Sequence, residues 1–203
     1  GTEAMREQWL KPLMTGTIRS AYLMTEPDVA SSDATNIAMR CEREGDDYIL
    51  NGQKWWATGA GDPRCAVYIV IVCTRFDGPK HQQHSMIVVP ADTPGIAQLR
   101  AMEVYGHDDA PHGHMHLKFT DVRIPTKNVV LGEGRGFEVA QGRLGPGRIH
   151  HCMRSIGQAE KALDLMIARG LNREAFGKKI VSLGKNMETI SRRFLISPIE
   201  LRN

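Results

Sequence analysis

Between residues 18 and 125 the apolar positions either alternate with polar ones or run unbroken for a few residues, the two signatures of strands. Residues 37–43 and 48–50 read as strands, and Asn51-Gly52 after them predicts a two-residue hairpin turn. Residues 65–74 form an almost continuous apolar, β-branched run, which predicts a strand buried on both faces. Residues 85–89 form another, stopped by Pro90. Residues 114–119 alternate, with Met115, Leu117 and Phe119 facing one way and His114, His116 and Lys118 the other. No helical stretch separates these strands. They therefore predict an antiparallel barrel or sandwich and not an α/β nucleotide-binding sheet.

Helical patterns lie on either side. Residues 2–14 predict a short helix capped by Thr2, with Trp9, Leu10 and Leu13 on one face and Gly16 as its stop. Over residues 137–169, Ile149, Met153, Ile156, Leu163, Met166 and Ile167 recur at the helical period and predict a core-facing helix. Gly145-Pro146-Gly147 should kink it or break its first turn, because proline lacks the N–H and clashes with the preceding turn. Met187, Ile190 and Phe194 then make one short helical face, ended by Pro198. The expected class is α+β: a β-domain over residues 17–131 between pieces of two helical domains. Those pieces are residues 1–16 and residues 132–203, the latter with a divergent tail from about 181.

Composition narrows the picture only slightly. The 203 residues can bury a real core, and 41% hydrophobic with 24% charged is ordinary for a globular chain. A net charge of +3 gives no reason to expect nucleic-acid or bilayer binding. Cys41, Cys65, Cys73 and Cys152 are scattered without Cys-x-x-Cys pairs, which predicts free thiols in a reducing compartment and no structural zinc. No apolar run reaches membrane-spanning length, and Gly1 opens without a targeting segment, so the chain reads as an internal piece of something longer.

The stretch most able to hold a ligand is Tyr22-Leu-Met-Thr-Glu-Pro-Asp-Val-Ala-Ser-Ser-Asp33. A strand must end before Pro27, and the small residues that follow let backbone approach a bound group while offering hydroxyls and N–H groups. In Trp55-Trp56, adjacent strand residues point to opposite faces, so one ring should be core and the other free. Gly132-x-Gly134-x-Gly136 has the wrong spacing for a dinucleotide loop and reads as a flexible joint into the long helix. His112, His114 and His116 could share a strand face, but without a carboxylate or thiol partner they read as a solvated face more than a metal site.

Four segments in order resemble the acyl-CoA dehydrogenase family: Tyr22 to Asp33, Asn51-Gly-Gln-Lys-Trp-Trp-Ala-Thr-Gly59, Leu131-Gly-Glu-Gly-Arg-Gly-Phe137 and Asn172-Arg-Glu-Ala-Phe-Gly-Lys178. The wording of residues 27–36 and 142–154 is closest to the branch of family members ten and eleven, leaning towards ten. The resemblance implies FAD as cofactor. Tyr22, Met24 and Thr25 would line its pyrimidine side, Ser31 and Ser32 would follow in the loop, and Trp56 with Ala57 and Thr58 would meet the isoalloxazine near N5. Arg173 and Ala175 would reach the pyrophosphate and adenine of a neighbouring subunit's flavin. Ser32 and the stretch Gly145, Pro146, Gly147 and Arg148 would hold acyl-CoA. The implied reaction is α,β-dehydrogenation of acyl-CoA in fatty-acid β-oxidation, with electron-transfer flavoprotein as acceptor and a homo-oligomer, dimer or tetramer, as the assembly. The family's general base is a glutamate, expected beyond Asn203; its alternate position matches Gly147, so no catalytic residue is assigned within the chain. The implied compartment is mitochondrial, with peroxisomal as the alternative. The rival reading is a non-catalytic fragment that binds flavin or acyl-CoA, or pairs with full-length subunits.

Overall fold

The computed structural model describes residues 1–192, so Phe194, Pro198 and the end of the tail lie outside the described residues. The chain divides into two compact units, Gly1–Gly142 and Arg143–Asn203.

The first unit opens with one helical segment: α1 (Glu3–Met5), a π-helical turn (Arg6–Leu10) and α2 (Lys11–Met14). Thr2 caps it by accepting the Met5 N–H, as expected, and Gly16 leaves it at φ 75°. Eight strands follow: β1 (Arg19–Leu23), β2 (Arg40–Glu44), β3 (Asp47–Thr58), β4 (Cys65–Cys73), β5 (His84–Pro90), β6 (Ile96–Ala101), β7 (His114–Pro125) and β8 (Val129–Val130). They make one sheet in the order β6-β7-β3-β2-β4-β5-β8, with β1 paired to β4. Pairing is antiparallel except for β1 with β4 and the single Arg40–Cys73 rung between β2 and β4. The path does not close into a barrel among the described residues.

The strand expected to be buried on both faces is β4: Val67, Tyr68, Val70, Ile71 and Val72 are all at most 1% exposed. One of its faces joins the larger core with Leu23, Leu50, Leu117 and Phe119. The other reaches a smaller cluster of Ile37, Ile71, Met86 and Ala140, against which Tyr22 and Met24 pack.

Asn51-Gly52 is not a turn. The turn falls at Gly45-Asp46, and Asn51-Gly52 lies inside β3, where pairing with β7 slips between Leu50 and Gly52. Glycine is required there by φ 144° and by Met39, whose Cγ would sit 2.9 Å from an added Cβ. Asn51 instead crosses to β7, accepting the Asp121 N–H at 2.8 Å and donating to its carboxylate at 3.1 Å.

The long helix is α3 (Gly136–Asn172). The glycine segment before it is tied down, not loose: Gly134 N–H donates to buried Ser85 Oγ at 2.9 Å, and a Cβ on Gly136 would come within 2.8 Å of the His84 backbone. Within the second unit α3 runs on through Pro146 without breaking, although the Gly142 carbonyl loses the N–H that proline cannot supply. Of the expected core-facing stripe, Ile149, Met153 and Met166 are 68%, 63% and 45% exposed, while Ile156, Leu163 and Ile167 are half-buried. Periodicity reports that a face is apolar, not that something in the same unit covers it. A hairpin of β9 (Glu174–Ala175) and β10 (Lys178–Lys179) follows, turning at Phe176-Gly177, both with positive φ, as a two-residue hairpin demands. No helix of the described residues is long and apolar enough to cross a membrane, and none of the four cysteines is in a disulfide.

Candidate functional site

β1 sends Ala21 and Leu23 into the larger core and Tyr22 to the opposite face. Beyond Leu23 the chain leaves β4 and is bound to the end of β3 instead. Trp55 N–H donates to the Thr25 carbonyl at 3.0 Å, and the Thr25 hydroxyl donates to the Trp55 carbonyl at 2.7 Å. Thr25 has thereby used its hydrogen, and its oxygen is left able to accept.

Beneath this junction lies a buried ion pair that the sequence reading missed. Lys54 is completely buried and places Nζ 2.7 Å from Glu26 Oε1 and 2.9 Å from the Met24 carbonyl. Glu26, 6% exposed, also accepts the N–H groups of Ala38 at 2.9 Å and Met39 at 3.0 Å. Burial disfavours the ammonium and pulls Lys54 down to about 8, against the attraction of Glu26. The loop closes on itself where buried Ser31 Oγ accepts the Glu26 N–H at 2.8 Å, while Ser32 beside it is exposed. Ser31 thus shapes the loop, and Ser32 is the hydroxyl that faces outward. The missed pair had a signal: Lys54 has the same strand parity as Tyr48 and Leu50, and a lysine pointing inward needs a buried carboxylate.

The tryptophans do not divide into core and free. Trp55 is half-buried and Trp56 is 36% exposed, with ring centroids 6.4 Å apart. Simple alternation fails because β3 and β7 slip register between Lys54 and Ala57, and Trp56 takes φ 50°. A bulky residue in that region is uncommon and strained, and such strain gathers at binding sites. Ala57 turns inward and is 1% exposed; Thr58 faces out.

Two histidines flank this surface. Thr58 Oγ1 is 2.9 Å from His114 Nδ1, and His114 Nε2 is 2.8 Å from Asp109 Oδ2, so His114 does have a carboxylate partner. His116 Nε2 meets Gln53 Oε1 at 2.7 Å, and its ring stands edge-on to Trp55 at 6.3 Å. Burial, helped by the Arg100 charge, holds His116 below the usual histidine range. Among the described residues no group of three or more His, Cys, Asp or Glu could hold a metal ion.

Thus the first unit brings Thr25 beside the end of β3, where Trp56, Ala57 and Thr58 lie. Tyr22 and Met24 precede Thr25 along the chain, and Ser31 and Ser32 complete the same loop. The second unit carries the remaining candidates. Gly145, Pro146, Gly147 and Arg148 lie on α3, and an added Cβ at Gly142, Gly145 or Gly147 would meet nothing within 4 Å. Arg173 leaves the end of α3, donating its N–H to the Arg169 carbonyl at 3.0 Å, and Ala175 sits beside the exposed Phe176 at the hairpin tip.

An exposed indole on a strained bulge thus lies next to an outward threonine and a pinned loop. The profile "Acyl-CoA dehydrogenase, middle domain" matches residues 21–122, half of the chain, and "Acyl-CoA dehydrogenase, C-terminal domain" matches residues 134–185. The chain belongs to the acyl-CoA dehydrogenase family. Acyl-CoA dehydrogenase family member 11 of Gallus gallus is 56% identical over 182 residues, covering 89% of this chain and 23% of that protein. Family member 10 of Mus musculus is 52% identical over 192 residues, covering 95% and 18%. The chain therefore spans about a fifth of the length of these relatives. The solved butyryl-CoA dehydrogenase of Megasphaera elsdenii is 28% identical, with a TM-score of 0.78 over 98% of this chain and 50% of its own.

Proposed function

We propose that this chain supplies the flavin-facing part of an FAD-dependent acyl-CoA dehydrogenase that introduces an α,β double bond into acyl-CoA thioesters. The observation that carries the reading is the surface made by the Trp56 bulge, the outward Thr58 hydroxyl and the Thr25 loop. The donor set suits a flavin. The Trp56 ring gives a face to stack on, Thr58 a hydroxyl for N5, and Thr25 an acceptor for a ring N–H, while Tyr22 and Met24 wall the same loop. FAD would accept the hydride that leaves the acyl chain. The chain's own residues orient the ring, shield its face from water and offer hydroxyls where charge changes. Ser32 and the stretch from Gly145 to Arg148 are assigned to acyl-CoA, the glycines leaving room against the α3 backbone and Arg148 offering a guanidinium to a phosphate. Arg173 and Ala175 are assigned to the flavin of a second subunit in a dimer or tetramer.

The base that removes the α-proton is assigned to a glutamate that this chain does not supply, since position 147 is glycine. The purified 203-residue chain should accordingly hold FAD without oxidising acyl-CoA. Anaerobic addition of acyl-CoA to the FAD-loaded chain tests this: the flavin absorbance should stay, and bleaching would show that the chain carries its own base. Electron-transfer flavoprotein is the proposed acceptor, and mitochondrial β-oxidation, with the peroxisome as alternative, the proposed setting. Both rest on family likeness, and imaging of the tagged gene product would test the compartment.

A further inference from the structure

A hydrogen-bonded line of Asp109, His114 and Thr58 runs beside this surface. Asp109 accepts at His114 Nε2, and His114 Nδ1 meets Thr58 Oγ1. A carboxylate only accepts, so it keeps a hydrogen on Nε2. Nδ1 is then the ring atom whose state can change. Bare, it takes the Thr58 hydroxyl hydrogen; protonated, it donates to Thr58 Oγ1 and turns that hydrogen elsewhere.

The line is held from several sides. Thr58 and His114 are partners at the last rung of β3 and β7. Gly59 N–H donates to the Gly113 carbonyl at 2.9 Å, and Gly113 N–H to the Asp109 carbonyl at 3.0 Å. Asp109 itself sits at φ 53°, the same sparsely populated region as Trp56, whose ring is 6.2 Å from that of His114. Positive φ at the Asp109 end, and at Trp56 two residues before Thr58, marks a geometry imposed by its surroundings.

We propose that His114, oriented by Asp109, is a positioning residue that decides whether Thr58 presents a hydrogen or a lone pair to a flavin ring nitrogen stacked at Trp56. The proposal rests on the flavin reading above. Oxidised flavin offers a lone pair at N5 and reduced flavin an N–H, so protonated His114 favours the oxidised ring and neutral His114 the reduced one. Other groups that titrate or carry charge nearby are Asp108 and His112 in the same loop, Arg100 and Glu103 at the end of β6, and His116 two residues along β7.

The test is the affinity of the 203-residue chain for oxidised FAD at pH 5.5 and pH 8.0. Wild type should bind about three- to tenfold tighter at the lower pH, the range one hydrogen bond gives. His114→Phe keeps a ring against Trp56 and should erase the difference. Asp109→Ala removes the acceptor that holds the hydrogen on Nε2 and should shrink the ratio. His116→Gln should keep the wild-type ratio. Equal wild-type affinities at the two pH values overturn the proposal alone, as does a ratio that survives in His114→Phe. A wild-type chain that takes no FAD overturns the flavin reading and the proposal with it. Nitrogen-15 spectra of the flavin-free chain give an independent check: at pH 8.0 the ring hydrogen should sit on Nε2 with Nδ1 bare, and a hydrogen on Nδ1 instead overturns the line itself.

Discussion

Replacing Lys54 by Met should cost the first unit about 3–5 kcal/mol, the range for breaking a buried ion pair by removing one partner. Lys54 is 0% and Glu26 6% exposed, so water screens neither charge. Methionine fills the space of the lysine stem but donates nothing. Glu26 would keep only the Ala38 and Met39 N–H groups, and the Met24 carbonyl would lose its donor. For a chain of this size that loss corresponds to a melting temperature lower by roughly 6–20 °C. Glu26→Gln should also destabilise, because one accepting oxygen becomes an NH2 that faces a donor and Lys54 stays buried without its anion. The loop from Met24 to Ser31 hangs on this pair, so flavin retention should fall together with stability. Urea unfolding followed by circular dichroism measures the first effect and absorbance after desalting the second. A loss below about 1 kcal/mol in Lys54→Met would refute the claim that the pair organises the loop.

Trp56→Gly should leave stability within about 1 kcal/mol of wild type, since relief of the φ 50° strain offsets the lost packing, yet abolish flavin retention; a large destabilisation would mean that the indole is structural. Burial, with Glu133 adding to it, pushes the Cys41 thiol up to about 12 from 9.0. Between those values the unfolded thiol ionises while the folded one keeps its proton. Stability should therefore be full below pH 9 and fall by about 1.4 kcal/mol per pH unit up to pH 12, a slope that Cys41→Val removes in pH-dependent urea melts. Cys152 is exposed whereas Cys41 and Cys73 are buried, so a thiol reagent should label Cys152 first in the native chain; fast labelling of Cys41 would contradict the packing of β2.

Much of the β-domain was legible because burial on one face leaves period two in the sequence, as in β7, and burial on both leaves an unbroken run, as in β4. Where the period failed, a bulge was responsible. Asn51-Gly52 looked like a turn because glycine's freedom serves a bulge as well as a hairpin, and only Met39, thirteen residues earlier, decides between them. Counting puts Trp55 and Trp56 on opposite faces, and the second slip of β3 against β7 undoes the count. Thr25, Trp56 and Thr58 stand in legible motifs, but His114, which meets the Thr58 hydroxyl, does not. Glu26 reaches Lys54 across 28 residues and Thr58 reaches His114 across 56, and such closures are made by the sheet. The helical period shows the apolar stripe of α3, while its burial depends on what packs on it.

The central claim is that the Thr25 loop and the Trp56–Thr58 bulge form a flavin site. Incubating the purified chain with FAD, desalting it and recording the visible spectrum tests this most directly. Retained flavin absorbance that is lost in Trp56→Gly is the predicted result. A colourless wild-type chain that remains folded by circular dichroism would contradict it, and would favour a chain that acts by pairing with other subunits.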